Sequence, residues 1–160
     1  MDEKKVIFVP HCILNQSIRN ESGTTKQLLN IFAESEIGII QLPCPEVEFD
    51  GLNREIKAKE FYNSKYRKHC EELSIKILKD VKRYLDSNYK VLGILGIELS
   101  PTCGVYRIRT KKKISPGKGI LIEEIEKEMR KNNFQVPIIS VNLNNIFSSL
   151  EKINLLLKNS

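Results

Sequence analysis

Three of the four cysteines in this chain stand in loops beside prolines. Cys12 comes two residues after Pro10, with His11 between them. Cys44 lies between Pro43 and Pro45, with Glu46 two residues on. Cys103 ends Ser100-Pro101-Thr102 and precedes Gly104. Thiolates are soft ligands suited to zinc and to iron–sulfur clusters. Three of them do not complete a four-coordinate structural zinc site unless His11 or Cys70 joins. They suit a 4Fe-4S cubane in which one iron keeps no protein ligand, and such an iron is a Lewis acid that can bind a soft substrate sulfur. Glu46 can act as acid or base, and Ser100 can relay a proton or orient water. The plainer roles are a solvated loop acid and a turn-forming hydroxyl. Cys70 falls on the apolar stripe of an expected helix and reads as a buried core thiol. His11 and Cys12 on an extended backbone would point apart, so His11 is read as a structural or substrate contact and not as a ligand.

Thiols this far apart in sequence meet only if the fold brings them together. Lys5 to Pro10 is expected as a first strand, Ile37 to Leu42 as a second, Val91 to Ile97 as a third and Val136 to Val141 as a fourth. Between them, apolar residues recur at helical spacing from Thr24 to Ser35, Ser64 to Asp86, Ile120 to Asn132 and Asn144 to Lys158. Thr24 or Thr25 is a candidate cap for the first helix, after a polar loop with Asn15, Arg19, Asn20 and Gly23. Cys70, Leu73, Ile77, Val81 and Leu85 mark one stripe of the second. Strictly alternating strands and helices predict an α/β fold: a Rossmann-like three-layer sandwich on a mostly parallel sheet of about four strands. In such a sheet, ligands bind above the carboxyl ends of the strands, where strand order reverses. Cys12, Cys44 and Cys103 each follow one of these ends, and neighbouring strands are only about 4.8 Å apart. No local Cys-x-x-Cys is present, so the expectation rests on topology.

The 160 residues are read as one domain, 1–160, with 41% hydrophobic and 29% charged residues and a net charge of +6. No stretch approaches the ~20 apolar residues of a membrane span, and a cytoplasmic location is expected. There, structural disulfides are disfavoured, which leaves metal binding, catalysis or burial for the thiols. The run Arg107 to Lys113 is strongly basic but lacks the aromatic interleaving of a nucleic-acid surface, and it is expected as a solvated loop, with contact to an anionic substrate tail as the alternative because it follows Cys103. Gly117-Lys118-Gly119 is expected as a helix-entry turn and not a phosphate loop. Two other classes stay open on the residues alone: a zinc hydrolase with a three-cysteine site and Glu46 as base, and a non-enzymatic module that carries metal or sulfur or binds RNA.

Taken together, Cys12-Ile13-Leu14, Cys44-Pro45-Glu46 and Ser100-Pro101-Thr102-Cys103-Gly104 resemble the 2-thiouracil desulfurase (desulfidase) family, over most of the chain. Asn15, Glu98 and Leu99 depart from the family's usual residues, only Arg19 matches the family's Arg-Tyr-Asp-Gly-like stretch after the first cysteine, and Gly51-Leu52 with Arg54 keeps part of the usual sequel to Cys-Pro-Glu, so the chain looks like a related branch. The resemblance implies a 4Fe-4S cluster held by Cys12, Cys44 and Cys103, with Glu46 and Ser100 as the catalytic pair. It also implies a small thiolated substrate, such as a nucleobase or nucleoside, that loses its sulfur as hydrosulfide without net redox change.

Overall fold

The structure, a computed structural model, describes residues 3–19 and 23–158, so Asn20 lies outside the described residues. Strand β1 (Lys5–Pro10) leads into a single helical turn, α1 (His11–Leu14), and after a short 3-10 turn comes α2 (Lys26–Glu34). Strand β2 (Gly38–Leu42) is followed by α3 (Pro45–Asp50), the long α4 (Ser64–Asp86) and β3 (Lys90–Ile97). A hairpin of β4 (Arg107–Arg109) and β5 (Ile114–Pro116) precedes α5 (Ile120–Lys131), β6 (Ile138–Val141) and α6 (Ile146–Lys158).

Among the described residues, four strands form one sheet in the order β2-β1-β3-β6, and every pairing in it is parallel. Both faces are covered. Val6 and Phe8 of β1 pack with Tyr66, Leu73, Ile77 and Val81 of α4 and with Leu121 and Ile125 of α5. Ile7 and Val9 point the other way, onto Leu28 and Phe32 of α2 and Ile153 of α6. This alternation is why β1 and β3 read as unbroken apolar runs: a strand covered on both faces has no polar side. The expected α/β sandwich is therefore the observed one. No helix among the described residues is long and apolar enough to cross a bilayer.

Strand order reverses between β1 and β3, since the chain passes from β1 outward to β2 and then returns to the other side of β1. The thiol-bearing loops leave β1, β2 and β3, which are adjacent. The turn after β3 is clamped from below and above. Ile97 N–H donates to the Cys103 carbonyl oxygen at 2.9 Å, and Gly104 N–H to that of Ser100 at 2.8 Å. The carbonyl oxygens of Pro101 and Thr102 accept from Ile120 and Leu121, each at 3.0 Å. Two of the unsatisfied N–H groups at the start of α5 thus find their acceptors in the Cys103 turn. Glycine is required where this backbone comes closest. A Cβ on Gly96 would overlap the Cys103 carbonyl oxygen, and one on Gly119 the Thr102 carbonyl group.

Three local expectations change or become sharper. His11 and Cys12 are helical, not extended. At α2 the hydroxyl that takes a helix N–H is that of Thr24, which accepts from Lys26 at 3.3 Å; Thr25 stands directly before the helix, and its buried hydroxyl donates to the Ile13 carbonyl oxygen at 2.9 Å, fastening α1 to the start of α2. The basic run is part strand: Arg107 to Arg109 form β4, pairing with Pro116 and Ile114 of β5, while Lys111 to Lys113 stand in the exposed turn between the strands, as expected of a solvated loop. Ile108 is its buried anchor.

Candidate functional site

Cys12, Cys44 and Cys103 all line one recess above the carboxyl edge of the sheet, together with Glu46 and Ser100. The five residues singled out in the sequence are thus brought together. Each thiol has a different holder. Cys12 sits in the turn of α1, directly after β1. Cys44 is the residue before α3, whose start is set by Pro45 and by the acidic Glu46 and Glu48 in its first turn. Cys103 packs against the hydrophobic clusters of both faces, at the junction of the two cores. Cys70 is fully buried on α4, as its place on the apolar stripe predicts, and does not line the recess, although it belongs to the cluster on which Cys103 packs.

The three thiols repel one another as anions. Burial pushes Cys12 up to about 12, with the Cys44 charge adding to it and the Arg19 charge opposing it. Burial raises Cys44 as well, moderated by the backbone N–H of Val47. Cys103 lies well above the ordinary thiol value, first through burial and then through Cys44 and Cys12. A set of soft donors that share a recess and resist ionisation is stabilised when a cation replaces their protons. The donor chemistry therefore fits an iron–sulfur group. Among the described residues no three His, Cys, Asp or Glu side chains are grouped to hold a metal ion. Thiolates on one zinc would stand roughly 3.8 Å apart, from Zn–S bonds of about 2.3 Å.

Glu46 and Ser100 are both engaged by their surroundings. Arg54 Nε lies 3.3 Å from Glu46 Oε1, and both side chains are largely buried. Arg54 Nη1 also donates to the Ile18 carbonyl oxygen at 2.7 Å, tying the loop after α3 to the loop after α1. Ser100 Oγ accepts from Thr102 N–H at 3.2 Å and Cys103 N–H at 2.9 Å, so its own proton is left to donate elsewhere. Beside it, Thr102 Oγ1 lies 2.7 Å from Tyr66 Oη, and Tyr66 stacks on Tyr62 with ring centroids 4.1 Å apart. Burial and the neighbouring Glu46 charge push the Tyr62 hydroxyl up, keeping it protonated.

Sequence spacing alone does not place Arg19, Lys57 and Arg109 at this site, yet all three line the recess, with Ile56 and Leu143 as apolar wall. Arg54 is visible in the sequence only as a partial motif match. The one sequence signal for Arg109 is its nearness to Cys103. Glu98, a departure from the desulfidase pattern, has a structural task here. Its carboxylate accepts from Arg107 N–H at 2.7 Å and from Ser140 Oγ at 2.8 Å, joining the hairpin and β6 to the end of β3.

No family model matches the chain. A curated relative, the uncharacterized protein MJ0003 of Methanocaldococcus jannaschii, is 37% identical over 145 residues, covering 87% of this chain and 86% of that protein. A solved structure of a [4Fe-4S]-dependent thiouracil desulfidase, TudS, superposes with a TM-score of 0.52 at 19% identity, covering 96% of this chain and 99% of that one. The latter is a likeness of fold.

Proposed function

The chain belongs to the family of the uncharacterized Methanocaldococcus jannaschii protein MJ0003, and from that premise we propose that it is an iron–sulfur-dependent desulfidase acting as a single domain on a small thiocarbonyl compound. Cys12, Cys44 and Cys103 would hold a 4Fe-4S cluster. The observation that carries this reading is the gathering of three loop cysteines, from three adjacent strand ends, into one recess with Glu46 and Ser100. The shared fold of the [4Fe-4S]-dependent thiouracil desulfidase supports it.

When bound, the cluster would supply a Lewis-acidic iron with affinity for a soft substrate sulfur. The chain's own residues do the rest. The overall change is C=S plus water to C=O plus hydrogen sulfide; the C=S bond breaks, water supplies the oxygen, and no electron donor is needed. Glu46, held by Arg54, accepts a proton as water adds to the carbon. Ser100 donates its free O–H, because its oxygen already accepts two backbone N–H groups. The half-buried thiols and the walls of Ile56, Ile97 and Leu143 limit bulk water around the reacting carbon.

The test is anaerobic reconstitution with iron and sulfide, followed by a sulfide-release assay over a panel of thiobases and thionucleosides. The expected result is a brown protein absorbing broadly near ~400 nm that releases hydrosulfide from at least one of them. A colourless protein that takes up zinc in place of iron would overturn the reading.

A further inference from the structure

The proposed chemistry uses the thiols, Glu46 and Ser100 and leaves the positive charge of the recess unexplained. Among the described residues, Arg19, Arg54, Lys57 and Arg109 line it, against the carboxylate of Glu46. Arg54 is occupied by Glu46 and by the Ile18 carbonyl oxygen, and Lys57 Nζ lies 3.0 Å from Asp50. Arg19 is different. Its Nη2 donates to the Gly23 carbonyl oxygen, but Nε and Nη1 are shielded from solvent and have no hydrogen-bond partner among the described residues. Buried N–H donors without acceptors are rare in folded proteins and call for an occupant. Arg19 lines the same recess as the thiols, and its charge acts on Cys12. An anion that enters the recess therefore meets a guanidinium whose donors are not all spent on the protein.

The position of these donors limits the kind of anion. A charged group on a flexible tail reaching out of the recess would meet the exposed Arg107, Lys111, Lys112 and Lys113 of the hairpin region. Arg19 is half-buried and lines the recess beside the thiols, so an anion that meets it must be carried close to the body of the ligand. A guanidinium matches a planar carboxylate in shape and charge better than any other small acid group. Ile56, Ile97 and Leu143 offer apolar surface to a flat ring or short chain beside it.

We propose that Arg19 binds a carboxylate carried by the substrate near its sulfur-bearing carbon, so that this enzyme takes an anionic thiocarbonyl acid in preference to a neutral thiobase. The identity of the ligand as a thio-compound rests on the desulfidase reading; the anion site does not. The matched probes are 2-thiouracil and its 6-carboxylate for sulfide release, and uracil, uracil-6-carboxylate and inorganic phosphate for calorimetric binding. All are measured on reconstituted protein whose iron content is determined separately. The unaltered chain should bind uracil-6-carboxylate at least tenfold more tightly than uracil or phosphate and show the same order in kcat/KM for the thiolated pair. Arg19→Gln should erase that preference while keeping its iron, and Arg19→Lys, which keeps the charge and changes less of the packing, should restore part of it. Equal kcat/KM for the two thio-compounds in the unaltered protein would sink this inference and leave the desulfidase reading standing. So would tighter binding of phosphate, or loss of iron in Arg19→Gln with carboxylate binding intact, which would make Arg19 a counter-charge for the thiolates. Carboxylate binding through Arg19 in a protein that never takes up iron would uphold the anion site and overturn the desulfidase reading.

Discussion

A buried thiol beside another thiol or a carboxylate stays protonated until something cationic arrives. Burial raises Cys12, Cys44 and Cys103 first; Cys44 then adds to Cys12, Glu46 to Cys44, and both other thiols to Cys103. Replacing any one of them by Ala should abolish iron uptake. Cys70→Ala should keep the iron and lose about 1 kcal/mol of stability, since Cys70 fills the core beneath α4. Iron content against denaturation midpoint for the four variants separates the two roles. Glu46 and Ser100 should part company in the same assays. Glu46→Gln keeps an oxygen for Arg54 but cannot take a proton, so it should retain iron and lose on the order of 10²–10⁴ in kcat. Ser100→Ala removes the acceptor of two backbone N–H groups in the Cys103 turn. It should therefore lose activity and also about 1–3 kcal/mol of stability. A Ser100→Ala protein as stable as its parent would mean that those N–H groups find water instead.

At the scale of elements, the Cys103 turn is made by its neighbours as much as by its own residues. It supplies acceptors to the first N–H groups of α5 and lies in contact with Gly96 and Gly119. Gly119→Ala should push the Thr102–Cys103 backbone away from α5, cost about 1–3 kcal/mol through overpacking, and lower iron occupancy although no ligand has changed. Thermal unfolding and iron analysis of that variant decide it; full iron with unchanged stability would show that the turn can shift freely. These elements differ in how far the sequence reveals them. The strands and their thiols are legible because apolar runs ending in proline mark a buried strand and its exit, and because Gly96 in such a run signals close approach. The start of α5 is legible too, from Gly117-Lys118-Gly119. Helix α1 is not, since His11 to Leu14 is a single turn with no periodicity to read. Nor is the hairpin: Arg107-Ile108-Arg109 is a three-residue strand in a field of charge, and only the burial of Ile108 sets it. Arg19 is legible only as one residue of a partial motif match, because its shielding exists only after folding.

At the scale of the molecule, the segment from 51 to 63 is the least legible part, although it brings Arg54, Ile56 and Lys57 to the recess. It carries no apolar period, and its path is set by polar contacts with distant residues. Lys59 pairs with Glu123 and donates to the Lys118 carbonyl oxygen at 2.8 Å. Glu60 Oε2 accepts from Lys111 N–H of the hairpin region at 2.7 Å. Arg67 of α4 reaches Glu123 at 2.9 Å and Glu124 at 3.0 Å, joining α4 to α5. Glu123 is therefore the knot between this segment and the two helices over one face of the sheet. Burial pushes its carboxyl up, but the hydrogen bonds and charges of Lys59 and Arg67 outweigh burial and hold it below its ordinary value of 4.5. A carboxyl with a lowered folded value adds stability that is present above about pH 4.5 and is lost as pH falls through the folded value. The pairs are partly exposed, so the whole contribution is about 0.2–1 kcal/mol and is screened by salt. Glu123→Gln should accordingly lower the urea-unfolding free energy by that amount at pH 7 and low ionic strength. The deficit should shrink in 1 M salt and vanish in acid, where the parent carboxyl is also neutral. A deficit that persisted unchanged into acid would trace the effect to lost packing, and the 51–63 segment would then be held to the recess by its apolar contacts and not by charge.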